Sequence, residues 1–353
     1  MSKLKCLGIR ALLLDCLKKK DIFVPLVSII VPCYNEQNTI SLLLEALYQQ
    51  TFPRSEIEVI ISDGLSTDRT REQIANFQRQ HSDLCLQVVD NEKGTIPAGL
   101  NRALQAAHGQ FVVRLDAHSK PRPDYVARCL EALESGLGDN VGGVWEIHSG
   151  GEGGIARAIA AAASHPLAVG DAHYRHARQA RVVDTVPFGA YRLTLIERIG
   201  LYDETLLTNE DYEFNTRIRQ SGGTVWLDPA IRSTYFARAT LAALASQYWR
   251  YGFWKARMLR RYPESLRWRQ ALPPLFVLSL LVFGVLSFWV WPARLLLILE
   301  CVLYCLVLLA VGFQVSMKKK DPALIFGVPL AIAVMHLTWG SAFLWSLIFK
   351  RES

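Results

Sequence analysis

The chain has 353 residues, 51% of them hydrophobic, with 39 Lys/Arg against 32 Asp/Glu and a net charge of +7. Its mean hydropathy of +0.16 excludes a disordered chain and argues against an ordinary soluble protein. Residues 21–249 carry 20 Lys/Arg and 27 Asp/Glu, so the excess cations sit towards the two ends. An acidic body with basic ends points to a membrane surface and away from nucleic acid. The seven Cys are odd in number and form no Cys-x-x-Cys pair, which argues against a disulfide framework or a structural zinc site.

Residues 1–24 are a basic N-terminal segment. Leu4, Leu7, Leu14 and Leu17 can share a helix face beside Lys3, Lys5 and Arg10, which leaves an interfacial helix and a frayed basic tail as alternatives. From Pro25 strand and helix alternate. Val27–Val31 is a β-branched run closed by Pro32, and residues 36–50 show helical periodicity through Ile40, Leu43, Leu44 and Leu47. Strands are predicted over 58–61, 84–89 and 111–115, and helices over 67–80 and 96–107. Four buried-type strands separated by helices predict an α/β fold with a mostly parallel sheet and helices on both faces. Ligands of such sheets bind at the strands' carboxyl ends, where residues 32–36, 63–68 and 116–118 gather.

The last part differs. Residues 272–292 and 323–349 hold no charge, and residues 295–317 hold only Glu300. A bilayer core of about 30 Å needs about 20 helical residues, so these read as three transmembrane spans. Arg250–Arg269 precede the first and Lys318–Lys320 follow the second. Both belong on the cytoplasmic side, with a tight outer turn at residues 292–294. The third span opposes this rule mildly, and a re-entrant segment broken near Gly327–Pro329 is the alternative.

Four motifs carry chemistry. Pro32-Cys33-Tyr34-Asn35-Glu36 puts an aromatic ring and a carboxylate at the sheet's rim, where they can stack on and hydrogen-bond a base. Ser62-Asp63-Gly64-Leu65-Ser66-Thr67-Asp68 ends a strand, and Asp63 there can accept from a base N–H; a plain helix-capping turn is the alternative. Arg114-Leu115-Asp116-Ala117-His118 offers a carboxylate and an imidazole two residues apart, suited to Mg²⁺ or Mn²⁺. Thr208–Glu213 opens a helix with acidic residues, which complement the helix dipole or supply a general base. Glu213 is expected to face solvent.

These motifs, in this order and with Gly94, Ala98, Asn101 and Gly189-Ala190-Tyr191-Arg192 between them, closely resemble family 2 glycosyltransferases. The Asp-Ala-His variant, residues 164–170 and the three terminal spans resemble the bacterial succinoglycan (exopolysaccharide) glucosyltransferase subgroup. The resemblance covers roughly residues 26–260. It implies an A-type glycosyltransferase fold, Rossmann-like, followed by three C-terminal transmembrane helices. It assigns Pro32, Tyr34, Glu36, Asp63, Gly94, Asn101, Arg114 and Asp116 to the nucleotide-sugar, and Asp116 and His118 to the metal, Mn²⁺ or Mg²⁺. His118 stands where the family has a carboxylate, which leaves the site one negative charge short. Asp211 matches the family's catalytic base, with Glu210 orienting its loop, in an inverting displacement. Gly189, Tyr191 and Arg192 fall on the acceptor or product side. So do Gln247, Arg250 and Tyr251, which resemble the Gln-x-x-Arg-Trp motif of polysaccharide synthases.

The resulting layout is a cytosolic catalytic domain at 25–240, a basic aromatic interface region at 241–271, and a membrane domain at 272–349. The expected activity moves a sugar, glucose from UDP-glucose, to a polyprenyl-diphosphate-linked acceptor at the bacterial inner membrane. Other polysaccharide-assembly proteins are candidate partners, and nucleic acid is not. A processive synthase, a polyprenyl-phosphate sugar transferase and an inactive scaffold of an assembly complex are the alternatives.

Overall fold

The structure, a computed structural model, describes residues 25–349. The basic segment 1–24, with its interfacial-helix alternative, lies outside the described residues, as do 350–353. The strands are β1 (Val27–Cys33), β2 (Ile57–Asp63), β3 (Cys85–Asp90), β4 (Phe111–Arg114), β5 (Lys120–Pro121), β6 (Asn140–His148), β7 (Arg181–Val182), β8 (Ala190–Arg192) and β9 (Val225–Phe236). The first helices are α1 (Ile40–Tyr48), α2 (Thr70–Gln80), α3 (Ile96–Ala106), α4 (Tyr125–Glu134), α5 (Gly154–Ala163) and α6 (Pro166–Val169). The remainder are α7 (Leu195–Ile199), α8 (Glu210–Gln220), α9 (Leu241–Arg261), α10 (Trp268–Leu286), α11 (Trp291–Lys319) and α12 (Leu324–Ile348).

Two compact units share these elements. One joins the stretch up to Gly143 with Arg181–Glu204 and Arg217–Ser233; the other joins Val144–Ala180, Thr205–Thr216 and the stretch from Thr234 onward.

The first unit is built on a sheet of order β3-β2-β1-β4-β8-β6-β9-β5, with β7 paired to β9. β3, β2, β1 and β4 are parallel. β8 joins antiparallel to both β4 and β6, so the sheet is parallel in one half and mixed in the other. β1 and β2 are buried at all seven of their positions, as strands covered on both faces must be. That burial explains their unbroken apolar runs. Among the polar residues of these strands, Glu58 of β2 is buried and accepts from Ser28 Oγ (2.6 Å) and from the backbone N–H of His108 (2.6 Å) and Gly109 (3.2 Å). The carboxylate thereby ties β2 to the turn that enters β4.

The helix predicted from residue 36 begins instead at Ile40. Asn35 has φ +54°, in the left-handed region, and the Glu36 carbonyl accepts from both Thr39 and Ile40 N–H. Residues 34–39 are therefore a turn at the strand end and not helix.

In the second unit α10, α11 and α12, with 19, 29 and 25 residues, are long and apolar enough to cross a membrane. They differ in cover: the most apolar stretch is 11% buried in α10 and in α11 but 44% in α12. α12 packs along α9 and against α5, around a core that includes Ala158, Ile159, Leu244, Val328, Ile332 and Met335. A Cβ on Gly252 of α9 would lie 2.2 Å from the Trp339 carbonyl oxygen, so the two helices approach backbone to backbone. Two expectations change. Pro292 lies in the first turn of α11, where its missing N–H costs nothing, so the turn falls before it. α12 runs unbroken through Gly327–Pro329 with Pro329 inside, and no break for a re-entrant segment is present.

Candidate active site

Within the first unit, the parallel order 3-2-1-4 places a topological switch between β1 and β4, the place where such sheets bind ligands. The predicted motifs gather there. Glu36, after β1, sets its Oε1 3.0 Å from Nδ1 of His118, after β4. Asp116 receives Arg114 Nη2 at 3.2 Å, and Arg114 is itself buried. Tyr34 is 53% exposed, which leaves a ring face open for stacking. A Cβ on Gly64 would lie 3.2 Å from the Tyr34 ring and 3.3 Å from Gly94 Cα. Glycine at 64 therefore lets the three residues meet, and Gly94 itself holds φ +63°.

Asp63 is fully buried and accepts from Ser66 N–H (3.0 Å), Ser66 Oγ (2.5 Å) and Arg71 Nε (2.5 Å). Arg71 also reaches Asp90 at 2.6 Å, and the Asp90 and Asp63 carboxylates raise its pKa. The sequence reading missed Arg71 and Asp90. Their only signal was an Arg in the first turn of the helix after Asp63 and an Asp at the end of the next parallel strand.

Other expected ligand residues do structural work. Pro32 is buried and packs on Gly99 of α3. Asn101 is buried, donating to Tyr202 O and Glu204 Oε1 and accepting from Tyr202 N–H, each at 2.9 Å. Tyr191 is fully buried, and a Cβ on Gly189 would overlap the Asn140 side chain. Arg192 lies 4.7 Å over the Phe111 ring. Gly189 and Tyr191, expected on the acceptor side, sit where β8 packs between β4 and β6 and needs close backbone approach.

A divalent cation would find one carboxylate and one imidazole here, and no group of three His, Cys, Asp or Glu side chains among the described residues could hold a metal. Glu36 orients the His118 ring as a carboxylate does behind many metal-bound histidines. The donor set fits a cation that takes most of its oxygen ligands from a bound diphosphate. It does not fit a closed protein cage.

The second unit holds the acidic opening of α8. Asn209 has φ +70°, a conformation that asparagine tolerates better than most residues. Glu210 is buried, and Glu213 is fully buried with its Oε1 accepting from Tyr262 OH at 2.9 Å. The solvent-facing expectation for Glu213 is therefore wrong: the residue that follows α9 is a tyrosine that donates to it. Asp211 alone of the three keeps partial exposure. Lys255, also buried, sits 3.7 Å over the Tyr212 ring and donates to Ser265 O at 3.1 Å.

Gln247 and Tyr251, one turn apart on α9, face inward, whereas Arg250 is exposed. Gln247 Nε2 donates to the hydroxyls of Tyr235 and Tyr251, each at 3.0 Å. Beside them is Arg175, only 7% exposed. Its guanidinium lies 4.9 Å over Trp145, 5.4 Å over Tyr174 and 5.7 Å over Tyr235. Trp145 and Tyr235 stack, with centroids 4.3 Å apart. Burying a cation costs several kcal/mol, and each cation–π contact returns about 0.5–2 kcal/mol, so the rings offset only part of it. Burial pushes the Tyr251 and Tyr248 phenols up, which keeps both neutral donors.

Residues 28–200 match the family described as Glycosyl transferase family 2. Over 333 residues the chain is 26% identical to a dolichyl N-acetyl-alpha-D-glucosaminyl phosphate 3-beta-D-2,3-diacetamido-2,3-dideoxy-beta-D-glucuronosyltransferase of Methanococcus voltae, covering 91% of this chain and 97% of that protein. Over 331 residues it is 29% identical to the succinoglycan biosynthesis protein ExoA of Rhizobium meliloti (strain 1021), covering 92% and 96%. Among solved structures, the mannosyltransferase PcManGT of Pyrobaculum calidifontis, in complex with GDP-Man and Mn²⁺, superposes with a TM-score of 0.60 at 21% identity, covering 94% and 95%. That likeness shows a shared fold.

Proposed function

The chain is a family 2 glycosyltransferase, and from that premise we propose that it moves a hexose, glucose from UDP-glucose, onto a lipid-linked saccharide in exopolysaccharide or cell-surface glycan synthesis. The observation that carries the reading is the Glu36–His118 contact at the switch between β1 and β4, beside an open tyrosine face. Tyr34 stacks on the nucleobase, and the ordered 63–66 turn holds the nucleoside. Asp116 and His118 hold a divalent cation, Mn²⁺ or Mg²⁺, which when bound neutralises charge on the leaving diphosphate. Asp211, the partly exposed carboxylate of its cluster, takes the proton from the acceptor hydroxyl as that oxygen attacks the anomeric carbon. One displacement, with no enzyme nucleophile, inverts the anomeric configuration. The apolar helices and flanking cations suit a bacterial inner-membrane protein working at the cytosolic face, and similarity to the succinoglycan protein supports an exopolysaccharide role.

The test is sugar transfer by membranes containing the full chain, with Mn²⁺ or Mg²⁺ and then with chelator. Asp211→Asn is expected to lower transfer by about a thousandfold or more, since a general base contributes roughly 10²–10⁴, while UDP affinity stays within twofold. Wild-type rates in that variant would overturn the base assignment. Absence of any nucleotide-sugar turnover would favour a scaffold.

A further inference from the structure

Arg175 is a buried cation that no carboxylate meets among the described residues. Its one hydrogen bond there runs from Nη1 to Ala163 O at 3.3 Å, although a guanidinium carries five N–H donors. The surrounding side chains are aromatic and neutral. Two of them are donors as well. Gln247 Nε2 donates into the hydroxyl oxygens of Tyr235 and Tyr251, so each phenol must point its own proton elsewhere, and neither has an acceptor among the described residues. One cluster, with Arg175 buried and Tyr235 and Tyr251 half-buried, thus collects a guanidinium edge and two O–H groups that, beyond Ala163 O, meet no acceptor oxygen among the described residues.

We propose that Arg175, with the hydroxyls of Tyr235 and Tyr251, binds a phosphoryl group. A planar guanidinium fork matches two phosphoryl oxygens, and a third oxygen can take the tyrosine protons. A neutral sugar would leave the buried charge uncompensated. The stacked Trp145 and Tyr235 rings flank the guanidinium, and the low local dielectric they make strengthens such a pairing. Three sources can present such a group: the diphosphate of a polyprenyl-linked acceptor, a bilayer phospholipid, or free diphosphate. Assignment to the acceptor rests on the transferase reading above; the anion site does not.

The experiment titrates the full chain in detergent micelles, by calorimetry, with polyprenyl diphosphate, phosphatidylglycerol and inorganic diphosphate in turn. Saturable binding of at least one is expected, weakened about tenfold or more by Arg175→Gln and about threefold by Tyr251→Phe, with UDP affinity and melting temperature unchanged. The ligand that responds identifies the source. Equal affinity of wild type and Arg175→Gln for every probe overturns the proposal, as does no binding to wild type. If Arg175→Gln does not fold, Arg175→Lys serves, since it keeps the charge and loses the fork; wild-type affinity in that variant is also fatal. A chain that shows these shifts but turns over no nucleotide-sugar keeps the anion site and loses the transferase reading. The reverse result does the opposite.

Discussion

Single side chains at the first unit's switch point divide into those that would touch ligand and those that hold them. Glu36 belongs to the second group, because its carboxylate meets the His118 imidazole. Glu36→Gln is expected to weaken Mn²⁺ affinity by about 10–100-fold, while UDP affinity measured in chelator stays unchanged; an unaltered Mn²⁺ titration would remove Glu36 from the metal's support. Arg71→Ala strips a charged donor from fully buried Asp63 and is expected to cost about 2 kcal/mol of stability, read by denaturant unfolding. The loss is limited because Ser66 still donates twice. Glu204 gives a pH signature. Lys93 and then Asn101 hold its carboxyl below the ordinary 4.5. A depressed carboxyl stabilises the fold above its unfolded pKa, and that contribution fades as pH falls through the lower folded value. Glu204→Gln should therefore flatten the acid side of the melting-temperature profile. Asp63, Asp116 and His118 were legible as motif residues, because strand ends announce themselves in apolar runs. Arg71, Arg175 and Tyr262 were not, since each acts through a partner that only the folded chain brings near.

At the level of elements, the closest fit is the contact of α9 with α12. Gly252 meets Trp339, and Arg260 Nη2 donates to the Ser346 carbonyl. The offset between partners is nearly constant, so the helices run parallel. Gly252→Leu forces side-chain atoms into a backbone carbonyl and should cost about 1–3 kcal/mol, with Gly252→Ala in between; the melting temperature in detergent measures both. A melting temperature unchanged by leucine would mean that the contact is absent. Which elements could be read from the sequence follows from their length. β1, β2 and β4 were readable because buried parallel strands carry apolar runs, whereas β3 is only half-buried and showed itself through Val88-Val89. β5, β7 and β8 have two or three residues, too few to show an alternation, and the antiparallel half of the sheet stayed hidden with them. α12 hid its cover for another reason: a helix apolar all round has no polar face to show where protein ends and lipid begins.

For the molecule as a whole, the parallel contact of α9 and α12 decides how a chain with three apolar helices can sit in a bilayer. α9 carries Arg250, Arg260 and Arg261 exposed and Arg257 stacked on Phe253 and Trp254. If α12 crossed the membrane, α9 beside it would bring these four cations into hydrocarbon. At about 2.5–3.5 kcal/mol for each Arg near the centre, the cost is on the order of 10 kcal/mol, more than the contact could offset. α10 and α11 have no such burden, and Ser279 pairs across them with Glu300 at 2.5 Å, the kind of polar contact that joins spanning helices. α12 touches α10 at Pro273 and Val277, near its start, and touches α11 at Gly312 and, through the Tyr304–His336 hydrogen bond of 3.0 Å, near its middle. These contacts run from the middle of the α10–α11 hairpin to its open end. We therefore expect the hairpin to cross and α12 to stay at the membrane interface alongside α9. Single-cysteine variants at Trp289, Lys319 and Phe349, in a chain otherwise free of cysteine, test this with a membrane-impermeant maleimide on oriented vesicles. Phe349 should react from the same side as Lys319, and Trp289 from the other. Reaction of Phe349 with Trp289 would show that α12 crosses and that α9 leaves it in the membrane.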